Sequence, residues 1–255
     1  MTAGRAQVVA TVEKPEQIAA DLRSQIVNGE LADGAALGRE PDLVARFGVS
    51  RPSLREALRI LETEGLIEVV RGVRGGIFVR SPDARMTART AAMLLRARNV
   101  SLADVFEARY LLEPPAARAI ASRTRGRRAA IDQLGSLIAR EQDVIDDHEA
   151  FGLANHAFHE TLVALAGNQT LSIMAGTLDN VLASALIAVS RADRDLISRA
   201  TRQRDLRSQQ RLVDLLAAGD ADGAEKHWRA HMEYLSRNMA RAASTTLVDL
   251  LPRVF

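Results

Sequence analysis

The histidines are the residues of this chain whose type and spacing could support metal chemistry. The sequence has 5 histidines and 0 cysteines, so imidazole, carboxylate and amide groups are its candidate ligands, a set that suits zinc or nickel. Asn155 and His159 stand at positions i and i+4, which places both side chains on one face of a helix. His231 lies far along the chain. A single histidine on a helix is most often packed or solvated, so this spacing alone does not establish a site.

The dipeptide His159-Glu160 begins like the motif of zinc proteases, in which a second histidine follows one helical turn later. Val163 stands where that second histidine is needed. The sequence therefore excludes this class of enzyme. It also shows no cluster of a nucleophile with a general base, which any catalytic alternative would require.

A second group of residues could bind DNA. Arg51, Arg55 and Arg59 recur at every fourth position and form a stripe on one helix. Beside it runs an apolar stripe made of Leu54, Ala57, Leu58 and Leu61. A helix with one buried face and a neighbouring arginine face could dock in the major groove. The alternative is that the arginines form an ordinary solvated face.

The elements around this stripe predict how it is positioned. We expect helices at about residues 15–28, 40–47 and 50–64, with Ser50 as the N-cap of the third. Two short β-rich runs follow at 66–70 and 76–79, separated by a basic tip that contains glycine. Three helices and a hairpin predict a winged helix-turn-helix over residues 14–80, whose tip could reach phosphates or the minor groove.

The remainder of the chain predicts a second, helical domain. Residues 81–84 carry the only strong linker signal after the hairpin, and an antiparallel bundle of about seven helices is expected over residues 85–243. The expected helices are 83–98, 101–123, 128–147, 149–166, 169–192, 196–217 and 221–243. Pro114 and Pro115 should kink the second of these or mark a helix boundary. With tails at 1–13 and 244–255, the predicted fold class is mainly α.

Composition limits the classes of protein to which the chain can belong. At 255 residues it can form two modest domains. No apolar run reaches the about 18–20 residues of a membrane span, and the N-terminus lacks the apolar core of a signal peptide. We therefore expect a cytoplasmic protein without a membrane partner. The formal net charge of +2 is too small to indicate DNA binding, so that inference must rest on local clustering.

The first domain matches a known pattern over a long stretch. The stretch reads Leu37-Gly-Arg-Glu-Pro-Asp-Leu-Val-Ala-Arg-Phe-Gly-Val-Ser-Arg-Pro-Ser-Leu-Arg-Glu-Ala-Leu58, continued by Leu61-Glu-Thr-Glu-Gly-Leu-Ile67 and Arg71-Gly-Val-Arg-Gly-Gly-Ile-Phe-Val79. It resembles the N-terminal domain of GntR-family bacterial transcription regulators. The resemblance implies that Arg51, Ser53 and Arg55 contact an operator and that Ser50 adds a phosphate contact. It also implies that Arg74 and Gly75 enter the minor groove from the wing.

One departure from the family pattern precedes the second helix. The family usually has a Pro-Ser-Glu-Arg run whose arginine contacts DNA, whereas this chain has Gly38-Arg39-Glu40-Pro41. Pro41 therefore occupies the place of that arginine. Either Arg39 substitutes for it from a shifted position, or the contact is absent and the operator preference differs.

The second domain carries sparser motifs. They are Arg109-Tyr-Leu-Leu-Glu-Pro-Pro-Ala-Ala117, Asn155-His-Ala-Phe-His159 with Gly167-Asn168, Leu216-Ala-Ala-Gly-Asp220, and His231. They resemble the ligand-binding C-terminal (FCD) domain of the FadR subfamily, many of whose members bind one divalent metal. The resemblance maps the metal ligands to Asn155, His159, Gln209 and His231. Gln209 stands where a histidine is expected, which leaves two imidazoles and no carboxylate, so a metal site and a metal-free effector site both remain open.

The resemblance implies a ligand-responsive transcription regulator rather than an enzyme, in most such proteins a repressor. We expect a homodimer on a palindromic operator and a small carboxylate or acyl compound as effector. Arg109 is the candidate partner of an effector carboxylate, and an ion pair with Glu113 is the alternative. The sequence leaves two alternative functions open. One is a helical metalloenzyme fused to a winged domain, and the other is an architectural DNA-binding protein that needs no ligand.

Overall fold

A computed structural model of the chain describes the backbone of residues 14–72, 75–192 and 198–242. Side chains are described in the same ranges except at 84–85, 184–192 and 238–242. The chain divides into two units, Met1–Met86 and Thr87–Phe255. Within the described ranges each unit has a hydrophobic core of its own.

The first unit contains the three predicted helices. They are α1 Lys14–Val27, α2 Glu40–Phe47 and α3 Arg51–Thr63. Gly48 ends α2 with a φ of 62°, a left-handed conformation that glycine adopts without steric cost. Ser50 caps α3, because its hydroxyl accepts a hydrogen bond from the backbone N–H of Ser53. The apolar stripe from Leu54 to Leu61 is buried as predicted, so the adjacent arginine face of α3 points outward.

The hairpin is also present, with one addition. Strands β2 Ile67–Val70 and β3 Gly76–Val79 are antiparallel, with Ile67 opposite Val79. A third strand, β1 Ala36–Gly38, pairs with the other edge of β3. The sequence predicted no strand between the first two helices, so β1 was missed. Three residues are too few for an alternation signal, and the pairing arises because β3 has a second edge whose backbone groups need partners.

The second unit contains the seven predicted helices. They are α4 Ala84–Ala97, α5 Leu102–Ala121, α6 Arg127–Asp143, α7 His148–Leu165, α8 Gln169–Ala192, α9 Arg199–Ala218 and α10 Ala221–Ala242. Two ends differ from the prediction. Helix α6 stops at Asp143, because Asp147 caps α7 by accepting from the N–H groups of Glu149 and Ala150. Helix α9 follows Ser198, which caps it through the N–H of Thr201.

Helix α5 lies at the centre of the second unit, packed against α7, α8, α9 and α10. It runs through Pro114 and Pro115 without a break, so the helix boundary proposed there was wrong. Trp228, Phe158 and Leu212 lie fully buried in the core beside it. In the described ranges, no helix combines the length and apolarity that crossing a membrane requires.

Candidate functional site

The exposed face of α3 carries the predicted DNA-contacting residues. The Arg55 side chain is 68% exposed, and its Nε lies 2.9 Å from Oε1 of Glu40 on α2. Arg51 is exposed at the first position of the helix, and Ser53 is half-buried. Arg59 is 79% exposed one turn beyond Arg55. The fold therefore presents the three arginines together on the exposed side of α3.

Ser50 lies at the N-terminus of α3, where backbone N–H groups also favour an anion such as a phosphate. Its Oγ accepts from the N–H of Ser53 at 3.3 Å and lies 2.9 Å from the Ser53 Oγ. Both hydroxyls thus belong to the cap as well as to the exposed surface. A phosphate at this end would meet the cap, the helix N-terminus and Arg51 at once.

Arg39 occupies the N-cap position of α2. Its backbone N–H donates to Oδ2 of Asp42 at 3.2 Å. Pro41 lies in the first turn, where its missing N–H leaves no hydrogen bond unmade. The side chain of Arg39 is exposed next to α2, so both alternatives for the displaced arginine stay open.

At Gly75, in the tip of the wing, there is no space for a side chain. A Cβ built there would lie 2.3 Å from the carbonyl oxygen of Val70 and 2.8 Å from that of Gly72. The N–H of Gly75 donates to the same Gly72 oxygen at 2.9 Å. Glycine is therefore required to close this turn. Arg74, predicted to enter the minor groove, lies outside the described residues.

A second group of predicted site residues lies buried in the helical unit. His159 on α7 is 1% exposed. Its Nδ1 lies 2.7 Å from Oε2 of Glu113 on α5, an oxygen that also accepts from Nε1 of Trp228 at 2.9 Å. A carboxylate at Nδ1 places the imidazole proton there and leaves the lone pair on Nε2. That Nε2 makes no hydrogen bond to any described residue.

His231 on α10 faces the same region. Its ring stacks on Trp228 with centroids 4.2 Å apart and lies nearly parallel to the His159 ring at 5.8 Å. Its Nε2 also lacks a hydrogen-bond partner among the described residues. Burial lowers the pKa of both imidazoles, and the charge of His159 lowers that of His231 further. Both rings are therefore neutral at pH 7, as metal binding requires.

The two predicted amide ligands meet at an acid that the sequence analysis missed. Nε2 of Gln209 lies 3.0 and 3.1 Å from the two carboxyl oxygens of Glu141 on α6, and Nδ2 of Asn155 lies 3.3 Å from one of them. Glu141 is 0% exposed. Burial raises its pKa to about 8, although hydrogen bonds from both amides lower it. A signal was present: Glu141 continues the apolar stripe of Ala130 and Leu134, where an acid is out of place.

Arg109, the predicted effector contact, is 5% exposed on α5. Its Nη2 lies 2.8 Å from Oε1 of Glu113, the ion pair given above as the alternative. Its Nε lies 2.6 Å from Oδ1 of Asp179 on α8. Burial opposes ionisation of Glu113, but the charge of Arg109 and the contacts with His159 and Trp228 together outweigh it and lower the pKa of Glu113 to about 2. An effector carboxylate at Arg109 would therefore compete with two carboxyl groups already in place.

The buried ionisable groups of the helical unit are not balanced in charge. The carboxyl groups buried among the described residues are Glu113, Glu141, Asp179 and Asp205, and the buried guanidinium groups are Arg109 and Arg202. A bound divalent cation would supply the positive charge that this set lacks. Burial of an uncompensated carboxylate is costly, so neutral acids or a cation must compensate.

The residues present fit a divalent ion through their unpartnered atoms. Nε2 of His159, Nε2 of His231 and Oε1 of Gln209 are buried and make no hydrogen bond to any described residue. Two imidazole nitrogens and one amide oxygen form a donor set for an ion of the zinc or nickel class. No group of three or more histidine or acidic residues in the described ranges is arranged to hold a metal. The amide oxygens are therefore essential to any such site.

Two protein-family models match the chain. "Bacterial regulatory proteins, gntR family" matches residues 14–79, and "FCD domain" matches residues 104–234. These ranges correspond to the winged unit and to the helical bundle that contains the buried polar residues.

Curated relatives and a solved structure agree with these matches. The "Putative L-lactate dehydrogenase operon regulatory protein" of Escherichia coli (strain K12) is 31% identical over 236 residues, which cover 89% of this chain and 86% of the relative. The "HTH-type transcriptional repressor NanR" of Citrobacter rodentium is 26% identical, covering 91% and 87%. The structure titled "Streptococcus agalactiae GntR" shares the fold with a TM-score of 0.67, at 22% identity over 88% of this chain and 99% of that one.

Proposed function

Since this chain belongs to the GntR family of bacterial transcriptional regulators and carries an FCD ligand-binding domain, we propose that it binds a palindromic operator as a homodimer under the control of a small ligand. One recognition helix reads one half-site, and a two-fold dimer on a palindrome reads both. We propose repression as its mode of action, supported by the relative named as a repressor. We also propose a cytoplasmic location, because operator DNA lies there.

The observation that carries the DNA-binding proposal is the outward arginine face of α3. Arg51 and Arg55 lie one turn apart on the exposed side of the helix, with the half-buried Ser53 between them in the sequence, while the face formed by Leu54 to Leu61 is buried. Arginine can contact guanine in a bidentate manner, and each good contact of this kind is worth about 1–3 kcal/mol of discrimination. We assign base contacts to Arg51 and Arg55 and phosphate contacts to Ser50, with the wing residues Arg74 and Gly75 in the minor groove.

The test is selection of genomic DNA fragments by the purified full chain, followed by sequencing of the bound sites. The expected result is a site with two-fold symmetry. Arg51→Ala and Arg55→Ala should each weaken selection of the site, whereas Arg128→Ala, an 88% exposed arginine of the helical unit, should leave it unchanged. An asymmetric site, or equal binding by all three variants, would overturn the assignment.

The homodimer proposal is supported by where large apolar side chains remain exposed. In the described part of the helical unit these are Met93, Leu94, Leu111, Leu153, Ile173 and Met174. Exposed apolar surface of this kind marks association sites in soluble proteins. We therefore assign the main dimer contacts to the helical unit.

We propose that the effector is a small carboxylate or acyl compound bound beside the buried polar residues of the FCD domain. The name of the Escherichia coli relative makes L-lactate the first compound to test. Arg109 is the proposed carboxylate partner, and it would exchange Asp179 for the ligand. Thermal-shift screening tests this, because a ligand that binds only the folded chain raises its apparent stability. No shift with any carboxylate would remove the effector proposal.

We further propose that one divalent ion binds at Asn155, His159, Gln209 and His231. When bound, it would polarise an effector oxygen as a Lewis acid. The unpartnered Nε2 atoms of the two histidines support the assignment. Metal analysis of the purified chain tests it, with His159→Ala as control. The absence of bound zinc or nickel above about pH 7, where imidazole is neutral, would leave the effector site metal-free.

A further inference from the structure

Glu141 is a buried acid whose hydrogen-bond donors carry no compensating charge. It is 0% exposed on α6, and the side chains that donate to it are the amides of Asn155 on α7 and Gln209 on α9. Neither amide carries a charge that would compensate a buried carboxylate. Both amides are instead proposed metal ligands. Glu141 therefore links two helices through the two weakest ligands of the site.

The contacts fix which end of each amide faces Glu141. An amide has an NH2 end that donates and an oxygen that accepts, and only the NH2 end can donate to a carboxylate. Nε2 of Gln209 contacts both oxygens of Glu141, so Oε1 of Gln209 is turned away from the acid. That Oε1 is buried and makes no hydrogen bond to any described residue. Asn155 is oriented in the same sense through its Nδ2.

This orientation matters because of the residue type at position 209. An imidazole can offer a nitrogen lone pair from a fixed ring, whereas a glutamine offers a lone pair only when its oxygen faces the ion. The reversed amide would direct two N–H groups at the cation and repel it. At Glu141 both carboxyl oxygens accept from the NH2 group of Gln209, and these contacts are lost in the reversed orientation.

A comparable arrangement, a carboxyl group behind a proposed ligand, is present at His159. Oε2 of Glu113 lies 2.7 Å from Nδ1 of His159 and leaves Nε2 as the free lone pair. A carboxylate behind a ligand fixes its orientation and raises its basicity. Glu113 thus orients the imidazole of His159, and Glu141 is placed to orient the amides of Gln209 and Asn155.

We propose that Glu141 is a positioning residue that turns the amides of Gln209 and Asn155 into oxygen ligands for a divalent ion. The proposal rests on the metal site proposed above and goes beyond it by assigning a role to a residue outside the ligand set. This role of Glu141 explains how a chain with glutamine instead of histidine at position 209 retains a metal ligand there.

The experiment measures zinc affinity by calorimetry, and the visible spectrum of bound Co²⁺, on the full chain carrying Glu141→Gln. A glutamine at 141 has one acceptor oxygen, and its own NH2 group competes for the oxygen of Gln209. Zinc affinity should fall by on the order of 10–100-fold, the range found when a residue behind a metal ligand is lost. The Co²⁺ spectrum should change because an oxygen ligand is lost, which a purely structural role would not produce.

A second background separates orientation from stability. In Gln209→Ala there is no amide at this position to orient, so adding Glu141→Gln should cost only the smaller part that acts through Asn155. Asp205→Asn removes another buried acid of the same unit, whose Oδ1 makes no hydrogen bond to any described residue, and should leave zinc affinity within a few-fold of the parent. Circular dichroism of every variant reports whether the helices are retained.

Each outcome has one meaning. If the parent chain binds zinc and Glu141→Gln binds it equally well, the role of Glu141 is overturned while the metal site stands. An equal loss in the Gln209→Ala background, or from Asp205→Asn, also overturns it, because charge or stability would then explain the effect. If the parent chain binds neither zinc nor Co²⁺, the metal site and this inference fail together. If Glu141→Gln loses its helices, Glu141→Asp is measured in its place against the same expected loss, because its shorter side chain draws the acid back from both amides.

Discussion

Nε of Arg55 on α3 lies 2.9 Å from Oε1 of Glu40 in the first turn of α2, and 68% of the arginine side chain is exposed. A surface ion pair of this kind contributes at most about 1 kcal/mol to stability. It holds the guanidinium on the exposed side of α3. The pair therefore matters for binding more than for folding.

The first prediction concerns this pair on operator DNA. Arg55→Ala should weaken specific binding by about 1–3 kcal/mol, as expected for loss of an arginine that contacts a base. Glu40→Gln should strengthen binding a few-fold, because Arg55 no longer has to break an ion pair with Glu40 before it contacts DNA. Fluorescence anisotropy at several salt concentrations measures both effects. Equal affinity of Glu40→Gln and the parent would show that the pair does not compete with DNA.

Arg39→Ala decides between the two alternatives for the displaced arginine. If Arg39 substitutes for the arginine that Pro41 replaces, its loss should weaken binding by an amount similar to that for Arg55→Ala. If the contact is absent, Arg39→Ala should bind the operator like the parent chain. The same anisotropy titration gives the answer.

The second prediction concerns the wing. Gly75→Ala places a Cβ 2.3 Å from the Val70 carbonyl oxygen, so the turn must open. Operator affinity should fall at least tenfold, because the tip no longer reaches the groove. Gly76→Ala is the matched control, since its Cβ would meet Phe78 at an ordinary 3.5 Å. Similar affinities of the two variants would remove the steric argument.

The third prediction is a pH dependence of stability at Asp205. Burial raises its pKa to about 7, although the charge of Arg204 lowers it, and Glu141 faces it from α6. A carboxyl whose pKa is raised by folding stabilises the fold at acidic pH, and that contribution is lost as the pH rises from about 4 to about 7. Asp205→Asn should therefore gain stability relative to the parent over this range.

The expected gain is on the order of a few kcal/mol, at about 1.4 kcal/mol for each unit of pKa shift. Urea unfolding at pH 4.5 and pH 8 measures it. Asp214→Asn, an exposed acid on the same helix, serves as the control and should show no such gain. If the difference in unfolding free energy between Asp205→Asn and the parent does not change with pH, the idea that Asp205 is protonated in the folded chain is wrong.

The fourth prediction tests the dimer surface. Ile173 and Met174 on α8 are each 58% exposed. The double substitution Ile173→Glu with Met174→Glu should shift the chain to a monomer in light scattering and weaken operator binding. Val27→Glu is the matched control, because Val27 is 64% exposed but belongs to the winged unit. A dimer that survives the double substitution would place the interface elsewhere.

Local signals predicted most of the fold. The burial of the stripe from Leu54 to Leu61 follows from helical periodicity, and the cap at Ser50 follows from hydroxyl chemistry. Strand β1 escaped prediction because its pairing depends on β3, far along the chain. The end of α6 was misplaced because the cap belongs to Asp147 of the next helix.

The buried site was predicted only in part, because sequence spacing relates ligands on one helix and not across several. Asn155 and His159 share a face of α7, which periodicity shows. The role of Glu113 behind His159 requires α5 and α7 to pack together, which no local pattern contains. Glu141 was missed for the same reason, although an acid in an apolar stripe could have indicated it.

Trp228 gives the protein a built-in optical reporter. It is the single tryptophan of the chain, and it stacks on His231 at 4.2 Å while its indole N–H donates to Glu113. All tryptophan emission therefore originates beside the proposed ligand atoms. Occupancy of that site can be followed by the natural fluorescence of the unlabelled chain, even while the chain is bound to DNA.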